Sequence, residues 1–192
     1  MKHFALLALP LAMIAVPAMA QEGGSTSDTA QVNVTGNVAS LCILGDPTNP
    51  NVDLGQMVNT SGARVGKIAT IGQQTSNLPN SFCNFAGTQL TVTTAALLGP
   101  AGTPPTGFAR AVNYTATATG WAAPDAAATS AAAFDGATPS ASNSGGTQNG
   151  PRVNDILVTL TNFTVPQDRL LVAGAYSGTV TITLGPVAQS LD

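Results

Sequence analysis

Histidine, charge and aromatic rings are all scarce in this sequence. Its only histidine is His3, charged residues make up 8% of the chain, and aromatic residues make up 5%. Triads and metal sites that depend on histidine are therefore excluded beyond the first three residues. The few rings also argue against a glycosidase built on paired carboxylates. We predict a protein that is not an enzyme and has no catalytic residue, metal site or cofactor.

The first twenty residues have the composition of a secretory signal peptide. Lys2 gives a positive start, an apolar run covers residues 4–16, and residues 18–20 read Ala-Met-Ala, the pattern that precedes a cleavage site. The apolar run is too short to span a bilayer. We expect cleavage after residues 1–20, an exported product that starts at Gln21, and no membrane insertion after cleavage.

Positive charge is especially sparse once this segment is removed. Five Lys or Arg residues then stand against nine Asp or Glu residues, a formal charge of −4. Nucleic acid and anionic membrane surfaces are therefore poor partners. Threonine, serine, asparagine and glutamine must supply the polar surface. Such a surface suits close packing beside other molecules, and it also fits a freely secreted protein.

Only two cysteines are present, Cys42 and Cys83. An even pair in an exported chain predicts a structural disulfide. A metal site and a redox pair are the alternatives, but there is neither a C-x-x-C spacing nor a histidine in the exported product. By the entropy of the unfolded chain, closing a loop of this length stabilises the fold by about 4 kcal/mol.

Alternating apolar residues predict short β-strands along most of the chain. Residues 21–29 contain no large apolar side chain and are expected to be flexible. Predicted strands lie at 32–38, 52–55, 67–71, 89–93, 111–119, 156–161, 170–172 and 176–184, and short apolar pieces lie at 41–43 and 82–83. The strand at 156–161 is partly apolar on both faces and is expected to be central. Seven to nine strands separated by turns predict an all-β, antiparallel sandwich in a single domain over residues 30–192.

Residues 122–152 differ in composition from the rest of the chain. They consist mainly of Ala, Ser, Thr, Gly, Asn and Pro, with Phe134 as the one aromatic residue. Such low complexity predicts a long surface loop, either mobile or used for binding. Trp121 precedes this loop and is expected to be a core or rim residue, with a ligand platform as the alternative.

Four short motifs follow one another along the chain. V-N-V-T-G-N-V at residues 32–38 leads to Cys42, V-D-L-G lies at 52–55, Cys83 stands in F-C-N, and A-G-A-Y-S-G-T-V-T-I-T-L covers 173–184. Their order resembles the chaperone–usher fimbrial subunits and the related spore-coat-protein-U-like secreted domains of proteobacteria. The resemblance implies an incomplete, immunoglobulin-like (pilin-type) sandwich with a Cys42–Cys83 bridge.

The resemblance also implies strand exchange. In such subunits the N-terminal strand of a neighbour fills an open groove, through main-chain hydrogen bonds and side chains set in pockets. The candidate exchange residues are Ala30, Val32 and Val34, which equally fit a first strand of the domain itself. The chain continues beyond Leu184 to Leu191, which fits a sandwich that closes itself.

The expected function is therefore structural. We expect an exported pilin-like subunit or coat-like domain that acts in adhesion or surface assembly through β-strand pairing. Its expected partners are copies of itself, other pilin-like subunits and a periplasmic chaperone. The expected location is the periplasm, the cell surface or a fimbrium, or the medium. The alternative is a stand-alone secreted module that binds a glycan or a protein through residues 122–152.

Overall fold

A computed structural model describes residues 27–187 of the chain. The predicted signal peptide and the end of the chain near Leu191 lie outside this range. The described part is all-β, as predicted, with ten strands and two short 3₁₀ helices. The strands are β1 (Cys42–Ile43), β2 (Gln74–Cys83), β3 (Thr88–Leu98), β4 (Phe108–Ala109), β5 (Ala111–Thr119), β6 (Ala126–Thr129), β7 (Ser140–Gln148), β8 (Arg152–Thr164), β9 (Leu170–Leu171) and β10 (Ser177–Pro186). The 3₁₀ helices span Gly62–Arg64 and Pro166–Asp168.

The chain divides into two compact units, Met1–Asn37 and Val38–Asp192. In the first unit, residues 27–37 are exposed and form no regular secondary structure. The strand predicted at 32–38 is therefore wrong, and the second unit begins at Val38. Alternating valines favour a strand, but a strand also needs a neighbour for its backbone N–H and C=O groups.

The second unit is a sandwich made from one bent, nearly closed antiparallel sheet. Its strands follow the order β1-β2-β8-β5-β3-β10, with β6 beside β5 and β7 beside β3. Strands β3 and β5 pair only where Leu97 and Leu98 meet Val112 and Ala111. This corner separates a layer of β2, β8, β5 and β6 from a layer of β10, β3 and β7. Strands β4 and β9 form a separate parallel pair.

The core lies between the two layers, as the alternation of apolar residues predicts. Its buried side chains include Leu90 and Val92 from β3, Tyr114, Ala116 and Ala118 from β5, and Ile156 and Val158 from β8. Strand β8 is central, as predicted, because it lies between β2 and β5. The predicted alternation at 89–93, 111–119 and 156–161 is confirmed.

Between β1 and β2 the chain takes an irregular path, where strands at 52–55 and 67–71 were predicted. Only isolated bridges join Val58 to Ile68 and Asn59 to Val65. Gly55, Gly62 and Gly66 adopt positive φ angles there. These turns interrupt the extended backbone that a continuous strand requires.

Residues 122–152 contain two strands, β6 and β7, where a long loop was expected. Strand β6 pairs with β5, and β7 pairs with β3. Their small side chains have weak intrinsic strand preference, but they allow close approach of neighbouring backbones. A Cβ atom on Gly146 would collide with the carbonyl of Ala123, and the Gly146 amide donates to Pro124 O at 2.7 Å. Packing against neighbouring strands therefore determines the structure of this segment more than its composition does.

Candidate functional site: an open groove along the last strand

Strand β10 has a partner on one side only. It pairs with β3 from Ser177, opposite Leu98, to Pro186, opposite Thr88. Within residues 27–187 no strand pairs with its other edge. A groove of about 590 Å³ lies between this edge and β2. Its apolar lining includes Leu78, Leu97, Val158, Leu160, Phe163 and Ile182.

The core-facing side chains of β10 are incompletely covered. Val180, Ile182 and Leu184 pack against the core but are only partly buried. On the adjacent strand β3, by contrast, Leu90 is 2% exposed and Val92 is fully buried. An added strand would cover this apolar area and pair with the free backbone edge, and both effects are favourable.

Tyr114 lies at the base of the groove and connects the two layers of the sandwich. From β5, its hydroxyl lies 2.9 Å from Ala95 O on β3 and 3.0 Å from Thr179 O on β10. Its ring stacks on Phe163, with 5.7 Å between the ring centroids. Burial raises the pKa of Tyr114 to about 12. The neutral hydroxyl therefore remains a donor to these two carbonyls at ordinary pH.

One wall of the groove comes from the irregular segment after β1. The amide of Thr48 donates to Asn77 O at 2.8 Å, and the amide of Asn49 donates to the Ser76 hydroxyl at 3.2 Å. These bonds occupy part of the β2 edge, and Val52 lies further along the wall. The unpaired backbone is therefore on the β10 side of the groove.

The predicted disulfide between Cys42 and Cys83 is present and joins β1 to the end of β2. Beside it, the Asn84 side chain accepts a hydrogen bond from the Leu41 amide and donates one to Ala39 O, both at 2.8 Å. The bridge and Asn84 together fix the place where the sandwich begins.

The candidate exchange residues Ala30, Val32 and Val34 lie in no strand and are exposed. Val32 is 82% exposed and Val34 is 90% exposed. Single exposed valines are common on protein surfaces, but alternating ones on an unpaired segment are not explained by packing within their own unit. Their role in strand exchange stays a prediction.

Trp121 belongs to the core, as one of the two sequence interpretations expected. It is 1% exposed, and its indole N–H donates to the Thr88 hydroxyl at 3.2 Å. A ligand platform at this position is therefore contradicted. Trp121 lies in the short connection, residues 120–125, between β5 and β6.

Several carboxylates of the described residues serve local structure. Asp155 accepts hydrogen bonds from the Asn80 amide at 2.9 Å and from the Asn77 side chain at 3.3 Å. Asp53 accepts one from the Gly55 amide at 2.8 Å. Residues 27–187 contain no group of three or more His, Cys, Asp or Glu side chains able to hold a metal ion. Nor do they contain a helix long and apolar enough to cross a membrane.

The groove was not foreseen as a particular place in the fold, because its wall and its free edge depend on tertiary arrangement. The available signal was the strong alternation at 176–184, which no later strand covers within residues 27–187. No protein-family model, curated protein or solved structure matches this chain.

Proposed function

We propose that this protein is an exported, pilin-like structural subunit that assembles by strand exchange. The groove beside β10 receives the segment at residues 27–38 of a second copy. The observation that carries the proposal is the unpaired edge of β10, flanked by the partly buried side chains of Val180, Ile182 and Leu184. In this reading, the protein contributes to a surface polymer used in adhesion or surface assembly.

The two partners match in length and pattern. Strand β10 has ten residues, and a strand of that length extends about 34 Å. The twelve residues at 27–38 are long enough to follow it. Ala30, Val32 and Val34 project to one side of an extended segment, and Gln31 and Asn33 project to the other. One side therefore suits an apolar groove, and the other suits solvent.

The energetics favour occupation of the groove. Each valine moved from water into an apolar site contributes about 1.5 kcal/mol or more. Pairing along the edge adds main-chain hydrogen bonds and removes an aggregation-prone free edge. The conformational entropy lost when the segment becomes ordered opposes these gains. The Cys42–Cys83 bridge already holds β1 in place beside the groove, so β1 needs no further ordering.

A matched pair of double variants tests the proposal in the exported chain, residues 21–192. Val32→Asp with Val34→Asp places two charges on the side that enters the groove. Gln31→Asp with Asn33→Asp places the same two charges on the other side. All four residues lie outside the sandwich, so the fold of the second unit is expected to persist.

The readout is oligomeric state, from size-exclusion chromatography with light scattering and from gels run without boiling in detergent. We expect multimers from the unmodified chain and from the Gln31/Asn33 variant, and monomers from the Val32/Val34 variant. Equal assembly of the two variants would contradict the proposal. A stable unmodified monomer would contradict it as well.

The structure offers no observation in favour of the second function considered, a glycan- or protein-binding module. The segment on which it depended forms strands β6 and β7, and Trp121 is buried.

A further inference from the structure

The structure points to a second contact between successive copies, in which oppositely charged ends of the sandwich meet. We infer that the acidic end of the copy that donates its segment packs on the basic end of the copy that receives it. This inference rests on the proposed strand exchange and identifies a second surface that would stabilise the assembly.

The basic end is the end of the sandwich where β3 and β8 finish and β5 begins. It holds four of the five Lys and Arg side chains of residues 27–187, together with two carboxylates, which gives a net charge of +2. The cations are Arg64, Lys67, Arg110 and Arg169, and the carboxylates are Asp135 and Asp168. Backbone contacts place them together: Leu170 pairs with Phe108, and the Arg110 amide donates to Phe134 O at 2.9 Å.

Two of these cations are already paired, and two are not. The Asp168 carboxylate has one oxygen 2.9 Å from the Arg64 guanidinium and the other 3.6 Å from Lys67 Nζ. Arg169 lies over the Phe134 ring, 3.7 Å from its centroid, and Arg110 donates to Gly99 O at 3.1 Å. Among the described residues neither Arg110 nor Arg169 has a carboxylate partner. The positive charge of this end is therefore not neutralised within the unit.

The acidic end is the opposite end, where β2, β5 and β7 finish and β8 begins. It carries Asp46, Asp125 and Asp155, all exposed, against the single cation Arg152, which gives a net charge of −2. Arg152 donates to the Gln148 side chain at 3.3 Å, and no ion pair involves it among the described residues. The two ends therefore carry equal and opposite net charge.

The direction of the chain decides which ends meet. Strand β10 runs from the basic end, at Ser177, to the acidic end, at Pro186. Every pairing in the main sheet is antiparallel, and an entering segment that continues this pattern runs the opposite way. Its last residues, near 38, then lie at the basic end of the receiving copy.

The donating copy has its acidic end at that same place. Its sandwich begins at Val38, and Asn84 holds Ala39 and Leu41 beside the Cys42–Cys83 bridge, at the acidic end. The connection from the exchanged segment to the donating sandwich is only a few residues long. The acidic end of one copy is thereby brought against the basic end of the next, in a head-to-tail contact that repeats along a filament.

Such a contact acts mainly on the rate and direction of assembly. Charges on the rim of an interface steer encounter and disfavour like-charged juxtaposition, and salt screens them. Entry of the segment in the opposite direction would place the acidic end of the donating copy against the acidic end of the receiving copy. Opposite charge at the two ends therefore favours a single polarity of addition.

The first test measures the assembly rate of the exported chain against ionic strength. Between about 10 mM and 1 M salt the screening length falls from ~30 Å to ~3 Å. We expect the rate to fall roughly tenfold across this range. A rate that is constant or rises with salt would overturn the charged contact, because strand exchange driven by apolar burial alone is not weakened by screening.

The second test uses variants with the same change of charge at different places. Asp46→Asn with Asp125→Asn removes two negative charges from the acidic end, a net change of +2, using exposed side chains outside the groove lining. Ser142→Lys with Ser144→Lys adds two positive charges on the broad face of β7. We expect the first variant to assemble severalfold more slowly at low salt and to lose its salt dependence, and the second to retain that dependence.

The results separate the two proposals. Assembly that requires Val32 and Val34 but responds equally to both charge variants keeps strand exchange and overturns the charged contact. Chains that stay monomeric under all conditions overturn both. Circular dichroism of each variant identifies any loss of fold.

Discussion

At the scale of single residues, the Tyr114 hydroxyl is the polar group that most directly shapes the groove. It has one proton and lies within hydrogen-bonding distance of two carbonyls, Ala95 O and Thr179 O. These belong to β3 and β10, and the pairing register between the two strands shifts between Ser177 and Thr179. The hydroxyl thus satisfies backbone acceptors at an irregular point of the ladder, next to the proposed binding edge.

Tyr114→Phe is therefore expected to lower the free energy of unfolding by about 1–2 kcal/mol, because it removes the hydroxyl that donates to two partly buried carbonyls. Chemical denaturation of the monomer measures this loss. An unchanged midpoint would mean that these bonds contribute nothing net.

The Tyr114→Phe variant also tests how the stability of the fold changes at high pH. Burial raises the pKa of Tyr114 from 10.0 to about 12, so in this interval the unfolded chain loses a proton that the folded chain keeps. Stability of the unmodified protein must then fall as pH rises from 10 towards 12. Tyr114→Phe should flatten this fall. Identical pH dependence of the two proteins would contradict the assignment.

At the scale of elements, strands with large alternating side chains were predicted well. Strands β3, β5, β8 and β10 place β-branched, leucine or aromatic residues on one face and threonine on the other, and this pattern is a local property of the sequence. Strands β6 and β7 have no such pattern. Their pairing depends on neighbours distant in sequence and on close backbone approach at Gly145 and Gly146, which composition alone does not reveal.

The valines before Val38 show the opposite error, because a strand is predicted there and none forms. Their alternation is as regular as that of a strand, yet residues 27–37 are unpaired in the structure. A pattern specifies which side of a strand is apolar, but not which backbone edge it pairs with. The free edge of β10 is likewise a property of the assembled sheet, so the groove could not be located from the sequence.

Close packing of β7 gives a prediction for a pair of glycines. Gly146→Ala should lower stability by about 1–3 kcal/mol, because its Cβ would overlap the Ala123 carbonyl. Gly150→Ala is the matched control, since no atom lies within 4 Å of the Cβ position there. Urea denaturation compares the two. Equal stability would indicate that β7 is not packed in this way.

At the scale of the whole molecule, three features converge on assembly. The edge of the sandwich along β10 is unpaired beside an apolar groove, a short segment with matching alternation precedes the sandwich, and the two ends carry opposite charge. Few charges elsewhere reduce repulsion between neighbouring copies. Within one copy, the Cys42–Cys83 bridge stabilises the sandwich by about 4 kcal/mol through chain entropy and anchors the point where the exchanged segment leaves.

The most direct test of strand exchange is amide hydrogen exchange along β10 in the monomer and in the assembly. The account predicts that amides on its free edge exchange fast in the Val32→Asp, Val34→Asp monomer and become protected in assembled unmodified protein. It also predicts the same protection when a peptide of residues 27–38 is added to the monomer. Unchanged exchange along β10 in both cases would contradict the account.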